Sequence, residues 1–328
     1  MLAIVGMLIV IGAVFGGYLM HGGTMAVLIQ PSEFLIIWGA ALGTLVIATP
    51  MPVITRLLKN FGRVLKGNAY NRAVYLGTLI MFSDLFQATR KQGMVKLEAD
   101  VEEPRKSDIF KKYPRFLKDH HATHFVCDTL RMAISGGIPP FDLDQMIDAD
   151  LEVHHAENEA PVHSLTSVAD ALPGLGIVAA VLGIVITMQA MGGPPKELGY
   201  KVAAALVGTF LGILTCYGFL APLAQAMASV DEGEAAYFLV LKAGIIALVK
   251  GHPPIMALEF ARRTIPHSDR PTFQEMEKVC LRGRRPTESR IIHCQSRQRE
   301  DCFQKAVIKR GLRRMRRSAL RVRSSSSQ

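Results

Sequence analysis

Not one Asp, Glu, Lys, Arg or His falls within four long apolar runs of this chain, at about Leu2–Met20, Phe34–Ala48, Ala171–Met191 and Val202–Pro222. Runs of this kind suit a bilayer, whose hydrocarbon core takes about 20 apolar residues of helix. What they lack excludes something. A bundle of such spans cannot pass a proton along its own side chains, so a titrating group has to come from another chain. The nearest carboxylates, Glu33 and Asp170, are expected at span ends. Cysteine is scarce too: the five show no CxxC spacing, which excludes a disulfide framework and leaves free thiols. No phosphate-binding loop, GxSxG or HExxH occurs, so the chain is not expected to be an enzyme or to carry a cofactor. The start of the chain has no basic n-region, and its apolar run leads into a second span, so a cleavable signal is not expected.

Half of the 328 residues (49%) are hydrophobic, a fifth are charged, and the mean hydropathy is +0.23. That mixture describes membrane spans joined to substantial water-exposed parts. The net charge of +10 misleads. Residues 279–328 hold 15 Lys and Arg against 3 Asp and Glu, which leaves residues 1–278 with 23 against 25. The body is nearly neutral and the basicity sits in the tail.

The expected organisation is all-α: an integral membrane protein with four transmembrane helices and a large helical cytoplasmic domain. Residues 1–52 hold spans one and two with a short periplasmic loop, His21-Gly22-Gly23-Thr24. Span one carries Gly12-x-x-x-Gly16, which lets a neighbouring helix approach closely. Span two is introduced by Pro31-Ser32-Glu33 and closed by Pro50 and Pro52. Residues 53–170 read as a helical loop, with helical periodicity over Tyr70–Arg90 and His121–Ile134 and breaks at Glu103-Pro104, Tyr113-Pro114 and 135–140. Residues 171–222 hold spans three and four, 223–278 are C-terminal helices, and 279–328 form a basic tail. Tyr237–Val249, short and interrupted by Lys242, reads as an extramembrane helix rather than a fifth span.

Basic residues near span ends set the orientation. Arg56, Lys59, Arg63, Lys66 and Arg72 follow span two, against Lys196 and Lys201 in the other connection. The N-terminus is therefore expected outside, with 53–170 and the C-terminus in the cytoplasm. Two prolines bear on motion. Pro173 is expected in the first turn of span three, where proline is tolerated. Pro222 falls near the end of span four, where it removes a backbone hydrogen bond. Either they simply end helices, or they hinge the membrane bundle to the soluble helices. His120, His124 and Cys127 share a spacing that can bind zinc, but a His-rich surface helix is the plainer reading and no metal is expected.

Several runs together resemble one family. They are Gly12-Ala13-Val14-Phe15-Gly16-Gly17-Tyr18-Leu19-Met20, Leu172-Pro173-Gly174-Leu175-Gly176-Ile177-Val178-Ala179-Ala180, and Val207-Gly208-Thr209-Phe210-Leu211-Gly212-Ile213-Leu214 with Tyr217-Gly218. Further along come Pro253-Pro254-Ile255, Glu259-Phe260 and Arg270-Pro271-Thr272-Phe273. Each is weak alone, but their order and spacing over about 1–278 resemble MotA, the larger subunit of the bacterial flagellar stator. The resemblance implies a homo-oligomer, a pentameric ring, around the helices of a MotB-type single-span peptidoglycan-binding partner that supplies the ion-binding carboxylate. It implies an inner-membrane location with membrane lipid around the spans. It implies that Arg90 and Glu98 push the rotor protein FliG and that Ala180 and Thr209 line the ion path; in the hinge reading of the two prolines, Pro173 and Pro222 serve conformational coupling between that path and the rotor contact. Sodium-driven relatives tend to carry a threonine where Ala180 stands, and alanine offers no oxygen to Na⁺, so H⁺ is the expected ion. Two alternatives stay open: an ExbB/TolQ-type energy-transducing channel subunit, and a non-conducting membrane scaffold.

The tail departs from the family pattern at about Val279. Arg-rich clusters and a closing Ser324–Ser327 run leave two explanations, a reading-frame shift or a divergent, disordered extension. No nucleic-acid partner is expected for it.

Overall fold

The computed structural model describes residues 2–67, 70–189 and 191–280; the expectations for the basic tail lie almost wholly outside the described residues. Among those residues the chain is all-α, with no strand. Among the described residues, four helical stretches are long and apolar enough to cross a membrane. Helix α1 covers Leu2–Met20, α2 is the single turn Met25–Leu28, and α3 covers Pro31–Ala48. Pro31 opens α3 where its missing N–H costs nothing. Thr49 takes extended angles, as a residue before proline must, and ends it. Helix α4, Met51–Lys66, stops at Gly67, whose φ of 85° favours glycine.

The next helices form most of the extramembrane domain. Asn71 caps α5 (Arg72–Gln92), its Oδ1 accepting from the N–H groups of Ala73 and Val74 at 3.1 and 3.2 Å. Short α6 (Glu98–Glu102) and α7 (Pro114–Lys118) follow. Asp119 caps α8 (His120–Ile134) through the Ala122 N–H. The breaks expected at 103–104, 113–114 and 135–140 are where helices end.

The long helices depart most from expectation. Helix α9 runs unbroken from Pro140 to Gln189, 50 residues, or about 75 Å at 1.5 Å per residue. Span three is only its far end. Pro173 therefore does not lie in a first turn but deep inside α9, as does Pro161. The change from charged to apolar composition near Asp170 falls inside this helix and does not mark its start. Helix α10 covers Pro195–Thr215, a five-residue π-helical segment covers Cys216–Leu220, and α11 covers Ala221–Val249. Helices α12 (Pro254–Thr264) and α13 (Phe273–Cys280) complete the described chain.

Two kinds of interior result. In the extramembrane domain, Tyr75, Leu79, Phe82 and Leu85 of α5, Val126 and Leu130 of α8, Tyr237, Leu241 and Ile245 of α11, and Ala257 and Leu258 of α12 are buried in one core. Tyr237 and the residues after it belong to this core, consistent with an extramembrane helix. Gly244 makes room for Phe82: a Cβ there would lie 2.5 Å from the ring. In the membrane part, Ile37 and Ala41 of α3 meet Ala169, Leu172 and Ala179 of α9 and Val207 and Leu211 of α10. Ile177, Val181, Ile184 and Val185 stay exposed on α9, as lipid- or partner-facing residues of a span do.

Candidate functional site

Helices α9 and α10 touch backbone to backbone. A Cβ on Gly176 would lie 2.9 Å from the Gly208 carbonyl oxygen and 3.2 Å from the Gly212 Cα. One on Gly212 would lie 2.6 Å from the Leu172 carbonyl oxygen. Further along, Gly183 faces Ala205 at 2.7 Å from its Cβ. Small residues at these positions let apolar helices pack by close contact where no hydrophobic driving force separates them from lipid.

The candidate ion-path residues flank this seam. Ala180 is buried, and its backbone nitrogen lies 3.3 Å from where a Gly208 Cβ would be. Thr209 is half-buried next to Gly208, its Cα 3.3 Å from the Cβ position of Gly176. One residue was missed by sequence reasoning. Glu33, expected at a span end, is buried within the bundle at 6% exposure, its Oε2 set 2.5 Å from the Cβ position of Gly208. Asp170 is exposed. The bundle therefore does hold a carboxyl of its own. The signal was available: α3 begins at Pro31, which puts Glu33 inside the helix.

The two prolines sit in different settings. Pro173 is half-buried within α9, just after Leu172, whose carbonyl meets Gly212. Pro222 lies in the first turn of α11, directly after the π-helical segment. A π turn inside a helix is the local adjustment that accommodates a proline's missing donor, and such turns gather at functional positions.

Below the seam, α4 and α11 share a buried charge cluster. The Arg63 guanidinium pairs with Glu234 and reaches Asp231 at 4.0 Å, and both carboxylates are buried. Asp231 Oδ2 has no hydrogen-bond partner among the described residues. Burial pushes the Asp231 carboxyl up to about 6, with Glu234 adding to the rise and Arg63 and His155 opposing it. A carboxyl raised in the folded state stabilises below its unfolded value near 3.8 and loses that contribution as pH climbs through about 6. Asp231→Asn should therefore stabilise the purified protein at pH 8 by about 1–2 kcal/mol, seen as a higher thermal midpoint, and flatten its pH dependence between 4 and 7. A midpoint unchanged at pH 8 would contradict this.

The candidate surface residues are both exposed. Arg90 lies in the last turn of α5 and Glu98 in the first turn of α6. The connection between them is pinned by Leu97, 2% exposed. Glu98 lines a shallow cavity of about 120 Å³ with Val95, Val101, Arg131, Ile134 and Ser135. Arg131, which sequence reasoning did not single out, forms an ion pair with Asp128 at 2.7 Å. The surface thus carries both signs of charge around a small apolar floor. Cys127 does not join His120 and His124: it is buried, burial pushes its thiol up to about 12, and the two histidines are exposed.

This architecture is that of a polytopic all-α membrane protein with a tight two-helix seam and a helical domain at one end. Residues 4–93 match the Motility protein A N-terminal family and residues 117–237 the MotA/TolQ/ExbB proton channel family. Motility protein A of Escherichia coli (strain K12) is 40% identical over 278 residues, 85% of this chain and 94% of that one. Chemotaxis protein LafT of Vibrio parahaemolyticus is 38% identical over 273 residues, 83% of this chain and 96% of its own. The flagellar MotAB stator complex from Bacillus subtilis matches with a TM-score of 0.67 and 25% identity, over 82% of this chain and 97% of that one. The chain belongs to the Motility protein A family of proton channel proteins. It is a stator subunit of the proton-driven flagellar motor and a multi-pass inner-membrane protein. The ExbB/TolQ-type and scaffold readings give way to the Motility protein A match at the N-terminus.

Proposed function

We propose that the subunit forms a pentameric ring around the helices of a MotB-type partner, that protons cross beside the α9–α10 seam, and that the helical domain advances the rotor protein FliG. Close approach at Gly176, Gly208 and Gly212 carries this reading, because it sets Ala180 and Thr209 at one crossing of the spans. Ala180 offers no side-chain oxygen to a hard cation such as Na⁺, and Thr209 offers one hydroxyl beside the seam. A charge change on the partner's carboxylate alters how its helices fit against the ring. Pro173 on α9, and Pro222 with its π turn, pass that change to the helical domain. Domain boundaries follow: spans within 1–52 and 171–222, the rotor-facing part within 53–170.

The large domain lies in the cytoplasm and the N-terminus outside. Basic residues crowd behind span two, and helices from 53–170 share one core with α11 and α12, which keeps both on one side of the membrane.

Arg90 and Glu98 present opposite charges to the rotor, an arrangement that sets orientation and encounter rate more than affinity. Replacing them together, Arg90→Glu with Glu98→Lys, is expected to cut motor torque at least severalfold while proton flux through the purified complex stays within twofold of wild type. Tethered-cell rotation and proteoliposome acidification measure the two quantities. Unchanged torque sinks the rotor-contact assignment.

A further inference from the structure

Glu33 is the only charged residue of α3. It sits in the first turn, where a glutamate ordinarily answers its own helix's free N–H groups. Here Oε2 points across the bundle instead, into the notch that Gly208 leaves open on α10. The residue is 6% exposed, and Oε2 has no hydrogen-bond partner among the described residues. Among the described residues no ion pair reaches Glu33. The membrane part of α9, 171–189, has no ionisable side chain, and neither does α10 from Val202 onward. The nearest titratable groups on α10 are Lys201 and Tyr200, about 10 Å along the helix from Gly208. Tyr200 receives a hydrogen bond from Gln30 Nε2 at 3.1 Å, one turn before Glu33 on the same strand of chain. The other atoms nearest that position are the Ala179 Cβ and the Ala180 backbone nitrogen, neither of them an oxygen that could hold a metal cation.

Carboxyl groups inside a membrane are costly, and the ones that persist there serve ion or proton movement. We propose that Glu33 is a proton-binding group contributed by this subunit itself. It lies at the Gln30–Tyr200 end of the α9–α10 seam, and it takes up a proton from the aqueous side and releases it toward the seam. The proposal rests on the proton path read above. It adds to that path a carboxyl that belongs to this chain and not to the partner. The step is a bare proton transfer: carboxylate plus proton gives carboxylic acid, and the acid gives the proton to the next acceptor.

The test uses the full chain purified with its partner in liposomes. Infrared difference spectra should show a deuterium-sensitive carboxylic C=O band that is absent in Glu33→Gln. Proton flux in Glu33→Gln should fall at least tenfold with the complex still assembled, because glutamine keeps the shape and loses the exchangeable acid. If Glu33→Gln conducts like wild type, or the band survives the substitution, the proposal fails. If Glu33→Gln does not assemble, Glu33→Asp decides: a shifted band with lowered flux supports the proposal, and an unshifted band overturns it. A wild-type complex that conducts no protons counts against the proposed path, whereas the band still reports on Glu33 alone.

Discussion

Gly212→Val is expected to abolish motility and to prevent recovery of an intact complex. A Cβ at this position would lie 2.6 Å from the Leu172 carbonyl oxygen and 2.9 Å from the Gly176 Cα. Both neighbours are backbone, so no side chain can swing aside. The helices must separate, and separation undoes the crossing that positions Ala180, Thr209 and Glu33. Gly212→Ala should be a partial lesion, weakening the fold by about 1–3 kcal/mol as overpacking does. Gly174 supplies the control. Among the described residues nothing lies within 4 Å of its Cβ position, and Gly174→Ala should leave assembly unchanged. Co-purification with the partner and swimming assays read both. A motile Gly212→Val strain would refute the seam.

Arg63→Met should be the most damaging single change outside the spans. Arg63 is the only cation within ion-pair distance of Asp231 and Glu234 among the described residues. Without it two buried carboxylates are left facing each other across one turn of α11. Removing one member of a buried pair costs more than the pair contributes, roughly 2–3 kcal/mol here once the half-exposed guanidinium is allowed for. The loss should grow with pH. With Arg63 present the Asp231 carboxyl stands at about 6, and losing Arg63, which holds it down, moves it further up, so the two forms differ mainly on the alkaline side of 6. Thermal midpoints at pH 5 and pH 8 measure this. Adding Asp231→Asn to Arg63→Met should recover much of the loss at pH 8 and little at pH 5. Equal losses at both values would show that packing, not charge, governs the site.

These residues also show how far a sequence carries. The spans were legible because lipid admits only apolar side chains on helices, and that rule acts residue by residue along the chain. The breaks at Pro50, Pro104, Pro114 and Pro139-Pro140 were legible for a similar reason: proline and its predecessor are restricted by local sterics. Pro173 was not placed correctly. Its role depends on whether the helix continues before it, and the polar stretch 140–170 hides that continuation under a change of solvent. Asp231 and Glu234 look like ordinary surface acids in the sequence, and Arg63 like one more basic residue behind a span.

Sequence alone determined the class of this protein: apolar spans without ionisable residues in their middles, small residues repeated along spans three and four, and the order of motifs that marks the family. Tertiary structure decided which of those small residues meet. It set Gly176 against Gly208 and Gly212, carried α9 through the membrane surface without a break, and turned Glu33 inward against Gly208. The physical reason is that hydropathy and proline stereochemistry are properties of a residue and its immediate neighbours. Burial of a carboxyl is a property of what packs over it, and here that cover comes from helices far away in the chain.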